Sequence, residues 1–192
     1  DIGMVCHNVG TMAAIRDAVL DGSPLISRIV TVSGEGVAEP RNLHALIGTP
    51  IAHLVRAAGG YTDKASQLVY GGPMMGISLP DDQVPLTKGG NCVLALSDNE
   101  APDPEEARAC IRCGKCADVC PVKLLPQQLY WYSHAKDFDK VQDYNLFDCI
   151  ECGCCTHVCP SNIQLVHYFR FAKTEIWKQE EEKRKADHAR RR

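Results

Sequence analysis

The chain has 192 residues, a formal net charge of −3 and 11 cysteines. This mild acidity gives no electrostatic case for nucleic-acid binding, which relies on an excess of basic side chains. No apolar run approaches the roughly 18–20 residues that a membrane-spanning helix needs. The length allows either one large domain or two small ones.

The first 27 residues predict a turn followed by a helix. Met12, Ile15 and Val19 recur at helical spacing, and Thr11 is the expected N-cap. The start of this helix, with Asn8 and Thr11 beside it, is either an anion or phosphate site or an ordinary capped surface helix. The sequence begins without Met and starts in the middle of a folded region. We therefore expect it to be part of a longer protein.

Short strands dominate residues 28–80. The pattern predicts strands at 28–33, 42–47 and 67–70 and a helix at 51–58, which begins after a proline and ends at two glycines. This order predicts a small β-grasp-like domain. The glycine-rich segment 71–76 either brings the backbone close to a ligand or to another polypeptide of an assembly, or simply makes turns.

Residues 81–104 predict a connector, because proline, glycine and aspartate interrupt this stretch repeatedly around one apolar strand at 92–96. Residues 105–172 form a cysteine-rich domain with two predicted helices between its cysteine runs. Residues 173–192 are rich in charge, with eight Lys or Arg and five Asp or Glu, which predicts a solvated helix or a frayed tail.

Two runs of cysteines share the pattern C-x2-C-x2-C-x3-C-P and hold eight of the 11 cysteines. This run binds 4Fe–4S clusters in bacterial ferredoxins, where the fourth cysteine ligates the cluster of the other run. We therefore predict two clusters with crossed ligands. The first is expected on Cys110, Cys113, Cys116 and Cys159. The second is expected on Cys149, Cys152, Cys155 and Cys120.

Cys154 does not fit the three-residue spacing of the second run, so it is predicted not to be a ligand. Zinc is the alternative metal for the whole arrangement, but zinc sites usually pair C-x2-C half-sites across a longer loop. The seven histidines are scattered, and they suggest no proton-transfer site. We therefore predict no catalytic residues and interpret the chain as a relay for electrons.

Over nearly its whole length the chain resembles the C subunit of the ion-translocating Rnf/Rsx electron transport complex. The resemblance rests on His7-Asn-Val-Gly-Thr11, on Gly71-Gly-Pro-Met-Met-Gly76, and on the paired cysteine runs followed by Pro160-Ser-Asn-Ile163. It implies an α+β fold in which a soluble-ligand-binding β-grasp domain at 28–80 precedes a helical two-cluster 4Fe–4S ferredoxin domain at 105–172. Residues 1–27 would then end a truncated flavin- and nucleotide-binding-like domain.

The resemblance also implies a function. Its members pass electrons between NADH and ferredoxin, coupled to ion movement by membrane subunits, so the chain would be part of a translocase. The implied place is the cytoplasmic face of a bacterial inner membrane, attached through the other subunits of the complex. The implied redox partners are ferredoxin or flavoproteins.

A further implication concerns flavin. In the flavoprotein subunit of respiratory complex I, which is related, the segment that matches residues 7–11 lies against FMN. Asn8 and Thr11 therefore carry over as candidate flavin contacts, whereas FMN and NADH themselves are expected only in the full-length parent.

Two other interpretations remain open from the residues. One is an iron–sulfur subunit of a quinone-linked dehydrogenase, although the plant-type C-x4-C-x2-C run that such subunits carry is not in this sequence. The other is a binding or scaffold module whose metal is purely structural.

Overall fold

The computed structural model describes residues 3–101 and 106–190. The chain divides into two compact units, Asp1–Pro102 and Asp103–Arg192. The first unit contains the β-sheet, and the second is built from helices and loops.

The first unit is organised around one five-stranded sheet in the order β2-β1-β5-β3-β4. Strands β1 and β5 run parallel, and the other neighbouring pairs run antiparallel. The elements in chain order are α1 (Val9–Leu20), β1 (Ser27–Ser33), β2 (Arg41–Leu46), α2 (Ile51–Ala57), β3 (Gln67–Tyr70), β4 (Ile77–Ser78) and β5 (Cys92–Leu96).

The core of this unit forms between the sheet and α2. Alternation along β1 buries Val30 and Val32 and leaves Ile29 on the exposed face, as expected for a strand with one covered side. Ile51 and Val55 of α2 are fully buried in the same cluster. Burial of these aliphatic side chains is the main stabilising contribution to the unit.

The sheet extends beyond the boundary expected at residue 80. Strand β5 pairs with both β1 and β3, so residues 92–96 lie inside the sheet and not in a connector. The apolar side chains of this short run explain the placement, because Val93 and Ala95 are buried in the core. The segments on either side of β5, which are rich in proline, glycine and aspartate, form loops of the same unit.

Helix α1 begins earlier than the sequence predicts. Asn8 is its N-cap, and the Asn8 side-chain oxygen accepts a hydrogen bond from the Gly10 N–H at 2.9 Å. Thr11 lies within the helix, so the prediction of Thr11 as the N-cap is wrong. All residues of α1 are at least partly exposed, including the apolar side chains at helical spacing.

Gly34, directly after β1, should be the least replaceable glycine of the sheet. Its φ is +109°, and a Cβ there would lie 2.0 Å from the Ala95 carbonyl oxygen. We expect Gly34→Ala to lower the free energy of unfolding of the sheet by about 2–4 kcal/mol, from backbone strain and overpacking together. Urea unfolding measures this loss. Gly72→Ala, where a Cβ meets no atom within 4 Å, is the matched control, and an equal loss in both variants would contradict the prediction.

The second unit is helical. Its elements are α3 (Lys115–Asp118), α4 (Pro126–Ala135), α5 (Phe138–Asp143), a 3-10 helix (Leu146–Asp148), α6 (Cys154–His157) and α7 (Leu165–Arg190). Helix α4 packs against both α5 and α7. Leu129, Val141 and Phe169 form the centre of this packing and are nearly inaccessible to solvent.

An internal repeat organises this unit. Helices α3 and α6 begin 39 residues apart, at 115 and 154, and α4 and α7 begin at the same separation, at 126 and 165. The two cysteine runs show the same offset. The duplication seen in the cysteines therefore includes the helix that follows each run.

Helix α7 runs through the boundary expected at residue 172. Lys173 and Ile176 are buried, so the first half of α7 belongs to the core of the unit, and only the later residues are solvated. Within the described residues, no helix combines the length and the apolar character that crossing a membrane requires.

Candidate metal centres

Two cavities in the second unit are each lined by four cysteines. One is lined by Cys110, Cys113, Cys116 and Cys159. The other is lined by Cys120, Cys149, Cys152 and Cys155. Each cavity thus takes three cysteines from one run and the fourth from the other run. These are the two sets of four that the spacing predicts.

The backbone of each run is curled so that its first three cysteines reach one cavity. Arg112 and Glu151, at equivalent places between the first and second cysteines, both have φ of 57°. Gly114 and Gly153, directly after the second cysteines, have φ of 81° and 84° and cap α3 and α6. Left-handed residues at these points turn the chain sharply, and glycine adopts this conformation without strain.

The fourth cysteine of each run is followed by a second left-handed residue. Lys123 and Asn162 have φ of 56° and 52°, and they lead into α4 and α7. The N–H of Leu124 donates to the Cys120 sulfur at 3.3 Å, and the N–H of Arg112 donates to the Cys110 sulfur at 3.4 Å. Backbone N–H groups thus point at a cysteine sulfur in both cavities.

Burial controls the protonation of several thiols. It raises the pKa of Cys155 to about 12, and it also raises the pKa of Cys116 and Cys149. At Cys149 the nearby Lys173 ammonium lowers the thiol pKa, whereas the Glu151 carboxylate raises it. Because iron binds thiolates, cluster assembly in these cavities would release protons.

The donor set of each cavity fits a 4Fe–4S cluster. Four cysteines line each cavity, which is the number of thiolates that a cubane binds, and the remaining lining is largely apolar. Within residues 3–101 and 106–190, no group of three or more His, Cys, Asp or Glu side chains is arranged to hold a single metal ion.

A partly buried ion network lies beside the second run, and the sequence reasoning missed it. The Glu151 carboxylate accepts from Arg170 Nε and from Lys173 Nζ, both at 2.9 Å. Lys173 Nζ also donates to the Cys149 carbonyl oxygen at 2.7 Å. The helical spacing of Lys173 with the buried Phe169 and Ile176 is the signal that could have placed it against the site.

The first run has a different contact at the equivalent position. The Arg112 guanidinium lies over the Trp131 ring at 5.2 Å, where the second repeat has Glu151 and Arg170. The two cavities are therefore alike in their sulfurs and unlike in the charges around them.

Cys154 lines neither cavity, and its thiol is hydrogen-bonded to Cys152, which raises the pKa of Cys154. We expect Cys154→Ser to assemble both clusters, with iron content and the electron paramagnetic resonance (EPR) spectrum of the reduced protein unchanged. Cys155→Ser is the matched control, one residue away, and it should lose one centre. Loss of a centre in Cys154→Ser would show that the ligand register is wrong.

The candidate flavin contacts lie in the first unit, away from any cysteine run in the sequence. Asn8 and Thr11 are both exposed, at the N-terminal end of α1, where Asn8 caps the helix. Their part in flavin binding stays a prediction.

The fold and the cavities define a two-domain redox protein with a cluster-binding ferredoxin-type unit. Residues 29–78 match the SLBB domain family, and residues 109–163 match the 4Fe-4S dicluster domain family. The predicted α+β fold class, a soluble-ligand-binding domain followed by a two-cluster domain, is confirmed.

The chain is 52% identical, over all 192 residues, to the C subunit of the ion-translocating oxidoreductase complex of Pseudomonas aeruginosa. It spans 25% of the length of that relative. The resemblance to Rnf-type C subunits that the sequence predicts is therefore confirmed over the whole length of this chain.

Proposed function

We propose that this chain is an electron relay within an ion-translocating oxidoreductase complex. The observation that carries the proposal is the pair of cavities, each lined by three cysteines of one run and one of the other. Cys110, Cys113, Cys116 and Cys159 are the proposed ligands of the first cluster. Cys149, Cys152, Cys155 and Cys120 are the proposed ligands of the second cluster.

A bound 4Fe–4S cluster supplies reversible one-electron chemistry. The residues of this chain hold it and control its surroundings. Eight thiolates bind and orient the two clusters, and backbone N–H groups donate to cysteine sulfurs. Leu124, Leu129 and Phe169 limit the access of water to the second cavity, and low solvent access is one of the factors that set cluster potentials.

The activity of the whole protein is a wider proposal. The Pseudomonas relative is named as part of an ion-translocating oxidoreductase complex, and this chain corresponds to a quarter of it. We propose that electrons pass through the chain between NADH and ferredoxin, while partner subunits move the ion. The proposed location is the cytoplasmic face of a bacterial inner membrane, with attachment through the other subunits of the complex.

Flavin and nicotinamide binding belong to the same wider proposal. FMN and NADH would bind to the full-length protein, with Asn8 and Thr11 as flavin contacts at the exposed start of α1. Flavin content of the full-length protein, compared with its Asn8→Ala and Thr11→Ala variants, tests this assignment.

The relay is tested by anaerobic reconstitution with iron and sulfide. We expect about eight iron and eight sulfide per chain and two reducible centres by EPR, as two cubanes require. Stoichiometric zinc without a reducible centre would overturn the proposal and support a structural metal instead. The Fe-to-chain ratio after removal of loosely bound metal distinguishes the two results.

A further inference from the structure

The ion network of Glu151, Arg170 and Lys173 is the most buried cluster of charges among the described residues that the proposed ligation does not use. The side chain of Lys173 is only 9% exposed, and that of Glu151 is 26% exposed. Removing charges from water is costly unless they are paired and hydrogen-bonded. Here each is paired, and the Lys173 ammonium has two acceptors, the Glu151 carboxylate and the Cys149 carbonyl.

The network lies directly against the cysteines of the second cavity. Glu151 immediately precedes Cys152 in the chain, and Lys173 bonds the backbone of Cys149 itself. The Lys173 side chain is only 9% exposed, so solvent screens its charge less than it screens an exposed charge.

The equivalent place in the first repeat carries no such network among the residues described. Arg112 stands where Glu151 does, and it lies over the ring of Trp131. Lys173 has His134 as its counterpart at the 39-residue offset, and His134 packs against Tyr130 and Tyr168. The charge arrangement is therefore specific to the second cavity.

We propose that Lys173 and Glu151 set the reduction potential of the cluster in the second cavity with opposite signs, so that the two clusters of the chain differ. The proposal rests on the proposed function, because it requires a cluster in that cavity. Reduction adds one electron and hence one negative charge to the cluster. The Lys173 ammonium stabilises the reduced form, and the Glu151 carboxylate destabilises it.

The test is a redox titration of the cluster-loaded chain, followed by EPR. Lys173→Met should lower the midpoint potential of one of the two centres, and Glu151→Gln should raise the potential of the same centre. We expect each change to shift the equilibrium constant for reduction on the order of tenfold, which is about 59 mV for a one-electron couple. General loosening of the site cannot account for shifts in opposite directions.

Two further variants serve as controls. Lys178→Met removes the same charge from the same helix, at an exposed ion pair with Glu175, and should leave both potentials unchanged. Lys173→Arg retains the charge and should preserve the potential if the charge is what matters. If the Lys173→Met variant fails to assemble its cluster, the Glu151→Gln variant alone tests the proposal. An upward shift of the midpoint potential of one centre in Glu151→Gln supports the proposal, and unchanged potentials overturn it.

The outcomes separate this inference from the proposed function. Two assembled centres whose potentials do not respond to Lys173→Met or Glu151→Gln would overturn the inference alone and leave the network with a structural role. A parent chain with no reducible centre would overturn the proposed function. A shift that appears equally in Lys178→Met would also overturn the inference.

Discussion

Cys159→Ala is expected to abolish the cluster of the first run, although Cys159 belongs to the second run. Cys159 lines the cavity of Cys110, Cys113 and Cys116, and a cubane that loses one of its four thiolate ligands is poorly held. Iron should fall from about eight to about four per chain. One of the two EPR centres should disappear.

A comparison of four variants identifies the centre that is lost. Cys159→Ala and Cys113→Ala should lose the same centre, whereas Cys120→Ala and Cys152→Ala should both lose the other one. If Cys159→Ala shared its loss with Cys152→Ala, each run would bind its own cluster and the crossed assignment would be wrong. Cys154→Ser, which should retain both centres, shows whether removal of any cysteine in this region is damaging.

Removal of the clusters is expected to destabilise the second unit severely and to leave the first unit as it is. Cys120 and Cys155 are part of the buried core of the second unit, and binding energy at a site that is absent from the unfolded chain becomes folding energy. A loss of about 3 kcal/mol or more would lower the midpoint of thermal unfolding by at least about 10 °C in a unit of this size.

Differential scanning calorimetry of the loaded and the iron-free chain measures this effect. The sheet of the first unit has its own core, around Val30, Val93 and Val55, so its transition is an internal control that should not move. A single transition that shifts as a whole, or two transitions that both stay in place, would contradict the prediction. Refilling the cavities with iron and sulfide should restore the transition of the second unit.

Local spacing explains why the cysteine sets could be predicted. The three-residue separation of Cys110, Cys113 and Cys116 depends only on a short loop, and the structure places all three around one cavity. The strand at 67–70 and the helix after Pro50 were also predictable, because alternation and capping are local signals. Such features can be predicted from neighbouring residues alone, because they do not depend on segments far away in the chain.

Other features depend on residues far apart in the chain. The parallel pairing of Thr31 with Cys92 places β5 in the middle of the sheet, and a strand bounded by breakers gives no local sign of that position. Lys173 was assigned to a solvated tail because of its charge, but its pairing with Glu151 makes its burial tolerable. Composition alone could not reveal a partner 22 residues away.

The 39-residue repeat has a consequence for symmetry. A peptide with one run and its following helix would place three cysteines around its own cavity, and its fourth cysteine would belong to a neighbour. Two such peptides could complete both cavities only by exchanging their last cysteines across a two-fold axis, as in an isologous dimer. The second unit therefore has the geometry of a dimer joined into one polypeptide. Its two halves carry different charges, with Arg112 in one and Glu151 in the other.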